Sequence, residues 1–294
     1  MKKDRYVIAA ILFGSLAYDS VWEKSDIDIV LVGRDEKASE RGYCLIENGI
    51  NIHASLVSRS KFKQHLEGQL QGSFMHSWFV RSSLLYCTDE TLREYYEEAN
   101  RAGSHDIQMQ VLRQCESLLI TLAKAQKWFH VKQDYHYSFL WILYTVESMA
   151  KIETLRKGET AGREVIHQAL KNNPPLFKAL YTDLIDSPKN EKTIAAALQM
   201  IEGYLAANLY AFFSPVLDYL QDEGGVRSTT DLDAYFKRLA QVNSLSSLYE
   251  WLADRGALRK VPVPRRLTEK SAIEMDEAGY YYDGEPTDEA EHYH

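Results

Sequence analysis

Gly14-Ser15 and, after ten intervening residues, Asp26-Ile27-Asp28-Ile29-Val30-Leu31-Val32 form the stretch that decides the fold. An apolar run over residues 6–13 precedes it and is typical of a central strand. If residues 27–32 form a second strand, Asp26 and Asp28 point to the same side, with α-carbons about 6.6 Å apart. Two aligned carboxylates repel each other unless a cation lies between them. The stretch therefore predicts strand, glycine turn and strand, with a cation site on the second strand.

The residue types in this stretch favour magnesium and phosphate. Mg²⁺ prefers hard oxygen ligands and accepts one or two carboxylates together with the phosphates of a substrate. A glycine lets the backbone approach a phosphate closely, and the amides and hydroxyl after it can donate hydrogen bonds. The alternative is structural, because an Asp-x-Asp pair also marks a solvated strand edge and Gly-Ser also forms simple turns. The order and spacing of the two motifs favour the functional interpretation.

The rest of residues 1–100 continues the α/β pattern. Residues 43–47 and 50–57 predict a hairpin around Asn48-Gly49, since Asn-Gly favours a two-residue turn with positive φ. Residues 60–69 predict a helix. We therefore expect a first domain of about 100 residues, built on a mixed sheet.

From residue 104 the hydrophobic period becomes helical. Apolar residues between Val111 and Leu122 follow the i, i+3, i+4, i+7 pattern of an amphipathic helix. Residues 139–155 predict a second helix, and Lys157-Gly158 is a plausible stop for it. Residues 193–220 predict one long helix, bent at Pro215. Residues 104–224 are thus expected to form a helical bundle.

The end of the chain predicts a third, smaller unit over residues 228–284, followed by an acidic flexible tail over 285–294. Its expected elements are two helices and then short strands, which is the order of a winged helix. They lie at residues 231–239, 244–254, 259–263, 271–275 and 280–282, with the turn at 276–279. The predicted fold class is therefore α+β: a mixed sheet with helices, a helical bundle and a winged-helix-like unit.

Composition excludes several classes of protein. The 294 residues are 45% hydrophobic and 26% charged, as in ordinary globular domains. No apolar run reaches 18 residues, so we expect no membrane-spanning helix. Three cysteines without ligand spacing indicate reduced thiols in the cytoplasm.

The net charge of −8 excludes a protein that coats nucleic acid with its whole surface. Eight acidic residues without a basic one lie within residues 274–294, so the rest of the chain is neutral. Residues 254–270 carry six basic and two acidic residues, which leaves local contact with nucleic acid open. The presumed recognition helix over residues 244–254 has no Arg or Lys, and this favours a packing or dimer-contact role.

The segment from Gly14-Ser15 to Val32 resembles the signature of the nucleotidyltransferase superfamily that includes DNA polymerase β. Its kanamycin and lincosamide nucleotidyltransferases carry a helical bundle after the catalytic domain. The resemblance implies that a substrate hydroxyl attacks the α-phosphorus of a nucleoside triphosphate, with ATP the default donor, and that pyrophosphate leaves. It assigns Gly14, Ser15 and Ser25 to the nucleotide, and Asp26 and Asp28 to Mg²⁺ that bridges the phosphates.

The sequence departs from the family pattern in two places. Tyr18-Asp19 stands where family members commonly have an Arg-Gly pair. The third carboxylate of the superfamily lies on a later strand, and His53 occupies the matching position, with Asn51 two residues earlier on the same face. Imidazoles titrate near neutral pH, so His53 is a candidate general base. The alternatives are a structural histidine or a degenerate site, with Glu47 the nearest spare carboxylate.

The helical segment offers a second candidate base. In kanamycin-type enzymes a glutamate on the helical domain activates the antibiotic hydroxyl, and residues 144–151 are a weak match that places Glu147 in this role. The alternative is an i,i+4 ion pair between Glu147 and Lys151. A cluster of aromatic residues either lines an acceptor pocket or belongs to the bundle core; it comprises Tyr135, His136, Tyr137, Trp141 and Tyr144.

Two classes of function follow from these residues. The first is a cytoplasmic, magnesium-dependent nucleotidyltransferase that acts on a hydroxyl of a small-molecule acceptor. The second is a catalytically degenerate regulator of the same fold that binds nucleotide or nucleic acid. Adenylation of a protein or an RNA would use the same residues as the first. The sequence is compatible with a homodimer but does not determine the oligomeric state.

Overall fold

The structure, a computed structural model, describes residues 4–18, 25–35, 40–69, 82–99, 104–159, 161–162, 164–240, 242, 244–268, 270 and 272–284. Contacts divide the chain into two compact units, Met1–Asp106 and Ile107–His294. Each unit contains a hydrophobic cluster of its own.

The first unit is built on a mixed five-stranded sheet. Its elements are β1 Val7–Phe13, a short 3-10 helix Ser15–Tyr18, β2 Ile27–Gly33, β3 Arg41–Glu47, β4 Ile50–Ser58, α1 Arg59–Gln69, β5 Ser83–Cys87 and α2 Glu90–Ala99. The strands lie in the order β3-β4-β2-β1-β5. Only β2 and β4 are parallel; the other neighbours are antiparallel.

Local sequence accounts for these strands. The apolar residues of β1 are buried in the middle of the sheet, as a run without polar residues requires. Asn48 and Gly49 have φ values of 51° and 80°, which confirms the two-residue turn between β3 and β4. Because β2 and β4 are parallel, the whole β3–β4 hairpin has to return beside β2, and this places His53 next to Asp28 in the ladder.

An aspartate accepts a backbone hydrogen bond from the first turn of each of α1 and α2. The backbone N–H of Ser60 donates to Oδ1 of Asp35 at 2.7 Å, and that of Leu92 donates to Oδ1 of Asp89 at 3.1 Å. The Asp89 carboxylate also accepts from Nε of Arg59 at 2.6 Å. The Thr91 hydroxyl and the Arg59 guanidinium lower the pKa of Asp89 from 3.8 to about 2. Asp89 therefore fastens the starts of α1 and α2 together.

The second unit begins with helices. They are α3 Ser104–His130, α4 Tyr135–Arg156, α5 Val165–Asn172, α6 Pro174–Phe177, a π-helical turn Lys178–Asp183, α7 Leu184–Asp186, α8 Glu191–Ala207 and α9 Leu209–Glu223. Asp134 caps α4 by accepting from the N–H of Tyr137, and Gly158 ends the segment after it with φ +73°. Within the described residues, no helix has the length and apolar character needed to cross a membrane.

The prediction of one helix over residues 193–220 is wrong. The helix is interrupted at Asn208, between α8 and α9, whereas Pro215 lies inside α9. The side-chain amide of Asn208 donates to the carbonyl of Tyr204 at 2.8 Å, in place of the regular backbone donor. Its amide oxygen accepts from Arg156 at 3.1 Å. A side chain that competes with the backbone, rather than a proline, ends α8.

The C-terminal segment forms a small antiparallel sheet with two helices. Its elements are β6 Arg227–Ser228, α10 Thr229–Ala240, α11 Ser246–Asp254, β7 Arg259–Arg266 and β8 Glu274–Tyr281, and the sheet order is β6-β8-β7. Its buried side chains, Phe236 and Tyr280 among them, join the same hydrophobic cluster as the preceding helices. The predicted α+β class, a mixed sheet followed by helices, is confirmed, and the chain ends in a small antiparallel sheet; the winged-helix-like arrangement stays a prediction.

The turn predicted at residues 276–279 is wrong. These residues lie inside β8, where Gly279 pairs with Val261 across the ladder. A Cβ at Gly279 would clash with the side chains of Val263 and Val226. Gly279 therefore makes room for close packing within a strand, and the sequence pattern does not distinguish that use of glycine from a turn.

Candidate functional site

The end of β1 and the turn after it form the first part of the candidate site. Gly14 follows β1 directly with φ +77°, in the left-handed region that favours glycine. Its carbonyl accepts from the N–H of Ala17 at 3.0 Å, which closes the short 3-10 helix. The predicted Gly-Ser turn therefore stands at the end of the central strand.

Asp28 lies against Gly14. Phe13, the last residue of β1, pairs with Asp28 of β2 in the antiparallel ladder. A Cβ added to Gly14 would clash with Oδ2 of Asp28 and come within 3.3 Å of its Cγ. Glycine is thus needed at position 14 for two independent reasons, the positive φ and the space that the Asp28 carboxylate occupies.

Asp26 and His53 form the second part. His53 pairs with Asp28 in the parallel ladder of β2 and β4. Its Nε2 lies 3.2 Å from Oδ2 of Asp26, within hydrogen-bond distance. The side chains of His53 and Asp26 are 51% and 41% exposed, so the pair is open to a ligand from solvent. Asn51 is exposed two residues earlier in β4, on the same face by strand alternation.

Among the residues that the structure describes, no Lys or Arg pairs with either carboxylate. Among the described residues, Asp28 has no ion-pair partner, and the only group paired with Asp26 is His53. Nor does the described part of the chain contain a group of three or more His, Cys, Asp or Glu placed to hold a metal. Two carboxylates two residues apart at the start of β2, one of them seated against Gly14, fit Mg²⁺, which takes one or two carboxylates and keeps positions for water and phosphate.

Glu47 does not replace the absent third carboxylate. The register places Cys44 beside His53, whereas Glu47 lies at the turn, paired with Ile50. Three residues along a strand correspond to about 10 Å, and an odd spacing directs the side chain to the opposite face. The position that corresponds to the third carboxylate therefore carries an imidazole.

Other residues assigned from the resemblance are only partly described. Ser25 directly precedes Asp26 and is half-buried. The side chains of Ser15 and Tyr18, and the whole of Asp19, lie outside the described part of the structure. The role of the hydroxyls at positions 15 and 25 stays a prediction.

Glu147 lies on α4, in the second unit. Its Oε1 pairs with Nζ of Lys151 at 2.7 Å, the i,i+4 ion pair that the sequence offers as the alternative to a catalytic role. Both side chains are partly exposed, at 45% and 32%. The ion pair gives Glu147 a structural explanation, and its role as a base stays a prediction.

The aromatic residues of α4 are divided between core and surface. Tyr135 and Trp141 pack against the hydrophobic cluster, whereas Tyr137 and Tyr144 are exposed. The ring of Tyr137 contacts that of Trp128 at 4.3 Å, and Tyr144 contacts Trp141 at 5.4 Å. The cluster is therefore neither fully buried core nor an isolated surface group.

Five of the six basic residues at 254–270 form ion pairs. Strand pairing places Arg266 opposite Glu274, and four further pairs engage the other arginines and Lys260. The pairs are Arg255–Glu202 at 3.1 Å, Arg259–Asp283 at 3.3 Å, Lys260–Glu250 at 2.6 Å, Arg265–Glu277 at 2.9 Å and Arg266–Glu274 at 3.1 Å. A count over residues 254–270 misses these acidic partners because all five lie outside the counted window, two of them on β8. The stretch is not a basic patch in the folded chain.

Two contacts of the site were not apparent from the sequence. The contact between Asp28 and Gly14 depends on the β1–β2 register, and the contact between His53 and Asp26 depends on parallel pairing of β2 with β4. For the contact between His53 and Asp26, the sequence signal is indirect. It consists of the Asn-Gly hairpin after β2, which makes β4 available to return beside that strand.

Comparisons with known proteins point to a nucleotidyltransferase fold. Residues 1–91 match the family model described as "Polymerase beta, Nucleotidyltransferase". Among solved structures, the chain resembles a nucleotidyltransferase-like protein from Exiguobacterium sibiricum 255-15, with 17% sequence identity and a TM-score of 0.66. The match covers 96% of this chain and 95% of that one, so the two proteins share a fold along nearly their whole length. No curated protein matches the chain.

Proposed function

Because residues 1–91 match a nucleotidyltransferase family model, we propose a specific activity for this protein. The protein transfers a nucleoside monophosphate from a Mg²⁺-bound nucleoside triphosphate, with ATP the default donor, to a hydroxyl of a small molecule. The observation that supports this proposal is the Asp26/Asp28 pair, which has no Lys or Arg partner in the described part of the chain and lies beside a glycine that leaves room for one of the carboxylates.

In this proposal Asp26 and Asp28 hold the metal. Bound Mg²⁺ would neutralise negative charge on the phosphates and on the departing pyrophosphate. Asp28 is held in place by its strand and by the space at Gly14, so its carboxylate needs no reorganisation to bind a ligand. Gly14 and Ser15, with Ser25, are the proposed contacts of the nucleotide.

His53 has a defined place in the proposed reaction. With Nε2 donating to the Asp26 carboxylate, the lone pair of Nδ1 is available to accept a proton. The acceptor oxygen forms a bond to the α-phosphorus, the bond between this phosphorus and the bridging oxygen of the β-phosphate breaks, and the hydroxyl proton passes to Nδ1. The carboxylate fixes the tautomer and stabilises the imidazolium that results.

A second role for His53 follows from the same contact. A hydrogen bond from an imidazole orients a carboxylate that binds a metal, and loss of such a partner typically reduces metal affinity by about 10–100-fold. His53→Gln distinguishes the two roles, because the amide can donate to Asp26 but cannot accept the proton. As a base, His53 is needed for turnover and not for nucleotide binding. If His53 is a positioning residue, the His53→Gln variant should retain both nucleotide binding and turnover. Glu147 is the second candidate base, tested by Glu147→Gln.

Calorimetry with ATP, with and without Mg²⁺, tests the proposal. We expect Mg²⁺-dependent binding by the wild type and loss of that dependence in Asp26→Asn/Asp28→Asn. Glu94→Gln is the matched control, since Glu94 is an exposed carboxylate on α2 of the same unit. Folded wild type that binds no nucleoside triphosphate under these conditions would contradict the proposal.

The degenerate regulator remains the second candidate because an imidazole replaces the third carboxylate. It predicts tight binding of Mg²⁺-ATP without release of pyrophosphate, with any hydroxyl acceptor tested. The nucleic-acid form of this candidate has less support, since the basic residues at 254–266 are already paired. Pyrophosphate release that depends on an acceptor would exclude the regulator.

A further inference from the structure

β3 is an edge strand with the features of an interface. Among the described residues, β3 pairs only on the side of β4, so its other edge has no partner strand. All seven of its residues are exposed, including Tyr43, Leu45 and Ile46 at 41%, 47% and 71%. Proteins usually protect such edges with proline, bulges or inward-pointing charges. β3 contains no proline, and its register with β4 has no shift from Arg41 to Glu47.

The sequence of β3 is complementary to itself. When Arg41-Gly42-Tyr43-Cys44-Leu45-Ile46-Glu47 pairs antiparallel with a second copy about Cys44, Arg41 lies opposite Glu47, and Glu47 opposite Arg41. Tyr43 lies opposite Leu45, and Cys44 lies opposite the same residue of the other copy. A twofold axis through Tyr43 or Leu45 instead would separate the two charges. A single register therefore satisfies both ends of the strand.

The charges at the two ends are available for this pairing. Neither Arg41 nor Glu47 has an ion-pair partner within the part of the chain that the structure describes. Arg41, Tyr43, Leu45 and Glu47 alternate along β3, so their side chains lie on one face of the sheet. In a twofold pair they form one continuous row, with a charged pair at each end and an aromatic–aliphatic pair on either side of the centre.

We propose that β3 is a homodimer interface, in which two copies of this chain join their sheets edge to edge by antiparallel pairing about Cys44. Because the interface is twofold, each copy presents the same surface and each complementary pair occurs twice. The result is a continuous ten-stranded sheet, five strands from each copy. The proposal is independent of the proposed nucleotidyl transfer.

Charge reversal in the full chain tests this interface. Sedimentation velocity under reducing conditions is expected to show a dimer. Arg41→Glu and Glu47→Arg each place like charges opposite one another twice, and should weaken dimerisation by about tenfold or more. The double variant Arg41→Glu/Glu47→Arg restores opposite charges and should return the dissociation constant to within about threefold of the wild type. Glu94→Arg, on α2, is the control variant, because it reverses a charge outside β3.

Cys44 provides a second readout. Directly opposite residues in antiparallel strands have α-carbons about 4.5–5.5 Å apart, within the range for a disulfide. Diamide, which takes up the two electrons and two protons, should therefore link two chains through Cys44. Cys44→Ser should abolish the link and leave the reduced dimer intact, and Cys115 is buried and should not react.

Three results would overturn the proposal. They are a monomer at all concentrations, a dimer insensitive to either single charge reversal, and a dimer in which Cys44 does not form the link. Because the readout is oligomeric state, a negative result leaves the nucleotide-binding test unaffected. Likewise, a protein that fails to bind ATP would still be expected to dimerise through β3.

Discussion

The start of β2 and the β7–β8 hairpin both carry charged residues but use them differently. In the hairpin and its surroundings, every arginine from position 255 to 266 is paired with a carboxylate. At the start of β2, two carboxylates lie close together, and the only partner among the described residues is the imidazole of His53. Paired charges have a structural explanation, whereas adjacent like charges without a cation are unfavourable unless a ligand binds.

The comparison shows why local charge counts mislead. Residues 254–270 have the larger charge excess in sequence, yet folding cancels it through partners from β8 and from distant helices. Asp26 and Asp28 contribute only two charges, but no Lys or Arg of the described residues pairs with them. Function is therefore better indicated by charge that remains unpaired in the structure than by charge density along the chain.

Removing a carboxylate of the site should have the largest effect. Asp28→Asn is expected to reduce nucleotidyl transfer by about 10³-fold, since metal stabilisation contributes several kcal/mol. Stability should not fall, because the substitution relieves repulsion with Asp26. Pyrophosphate release and thermal unfolding measure the two effects. An active Asp28→Asn variant would mean that the unpaired carboxylates are not a metal site.

Gly14→Ala should destabilise the fold by about 2 kcal/mol or more, as strain at positive φ adds to a clash with Asp28. Gly49→Ala is a matched control. Gly49 also has positive φ, at 80°, but nothing lies within 4 Å of an added Cβ, so we expect a cost of about 1 kcal/mol. Urea unfolding measures both. Equal costs would contradict the close contact between Gly14 and the Asp28 carboxylate.

Asp89 pairs with Arg59 in the same unit that contains Asp26 and Asp28. Its contribution to folding stability should depend on pH. The pKa is lowered from 3.8 to about 2, so the stabilisation is fully present above about pH 4 and is lost as pH falls through 2. The contribution is about 1 kcal/mol, allowing for solvent around the pair. Asp89→Asn should therefore be less stable than the wild type at pH 6 and similar to it at pH 2, measured by urea unfolding. A difference that does not change with pH would argue against the Arg59 pairing.

Breaking an ion pair of the hairpin should have the smallest effect. Arg266→Ala removes an exposed pair with Glu274 and should change stability by less than about 1 kcal/mol. If the hairpin does not bind nucleic acid, Arg265→Ala/Arg266→Ala should also leave the salt dependence of any DNA binding unchanged. A reduced salt slope in a gel-shift titration would show that these pairs open to bind phosphate.

Short-range patterns were sufficient for much of the fold. Alternation and apolar runs located β1 and β2 to within a residue at each end, and Asn48-Gly49 located the hairpin turn. They were insufficient at Asn208 and Gly279. A side-chain hydrogen bond to the Tyr204 carbonyl ends α8, and packing against Val263 and Val226 explains Gly279. Both depend on partners that a local pattern does not include.

By itself, the sequence determined that Gly14, Asp26 and Asp28 stand at the ends of two consecutive strands, because strand period and glycine conformation are local properties. Only the tertiary structure decided that Asp28 occupies the space at Gly14, that His53 reaches Asp26, and that five of the six basic residues at 254–270 form ion pairs. Each of these contacts either joins elements that are distant in sequence or depends on the register between paired strands. Side chains are brought within hydrogen-bond or ion-pair distance by strand pairing and packing, and those depend on the whole fold.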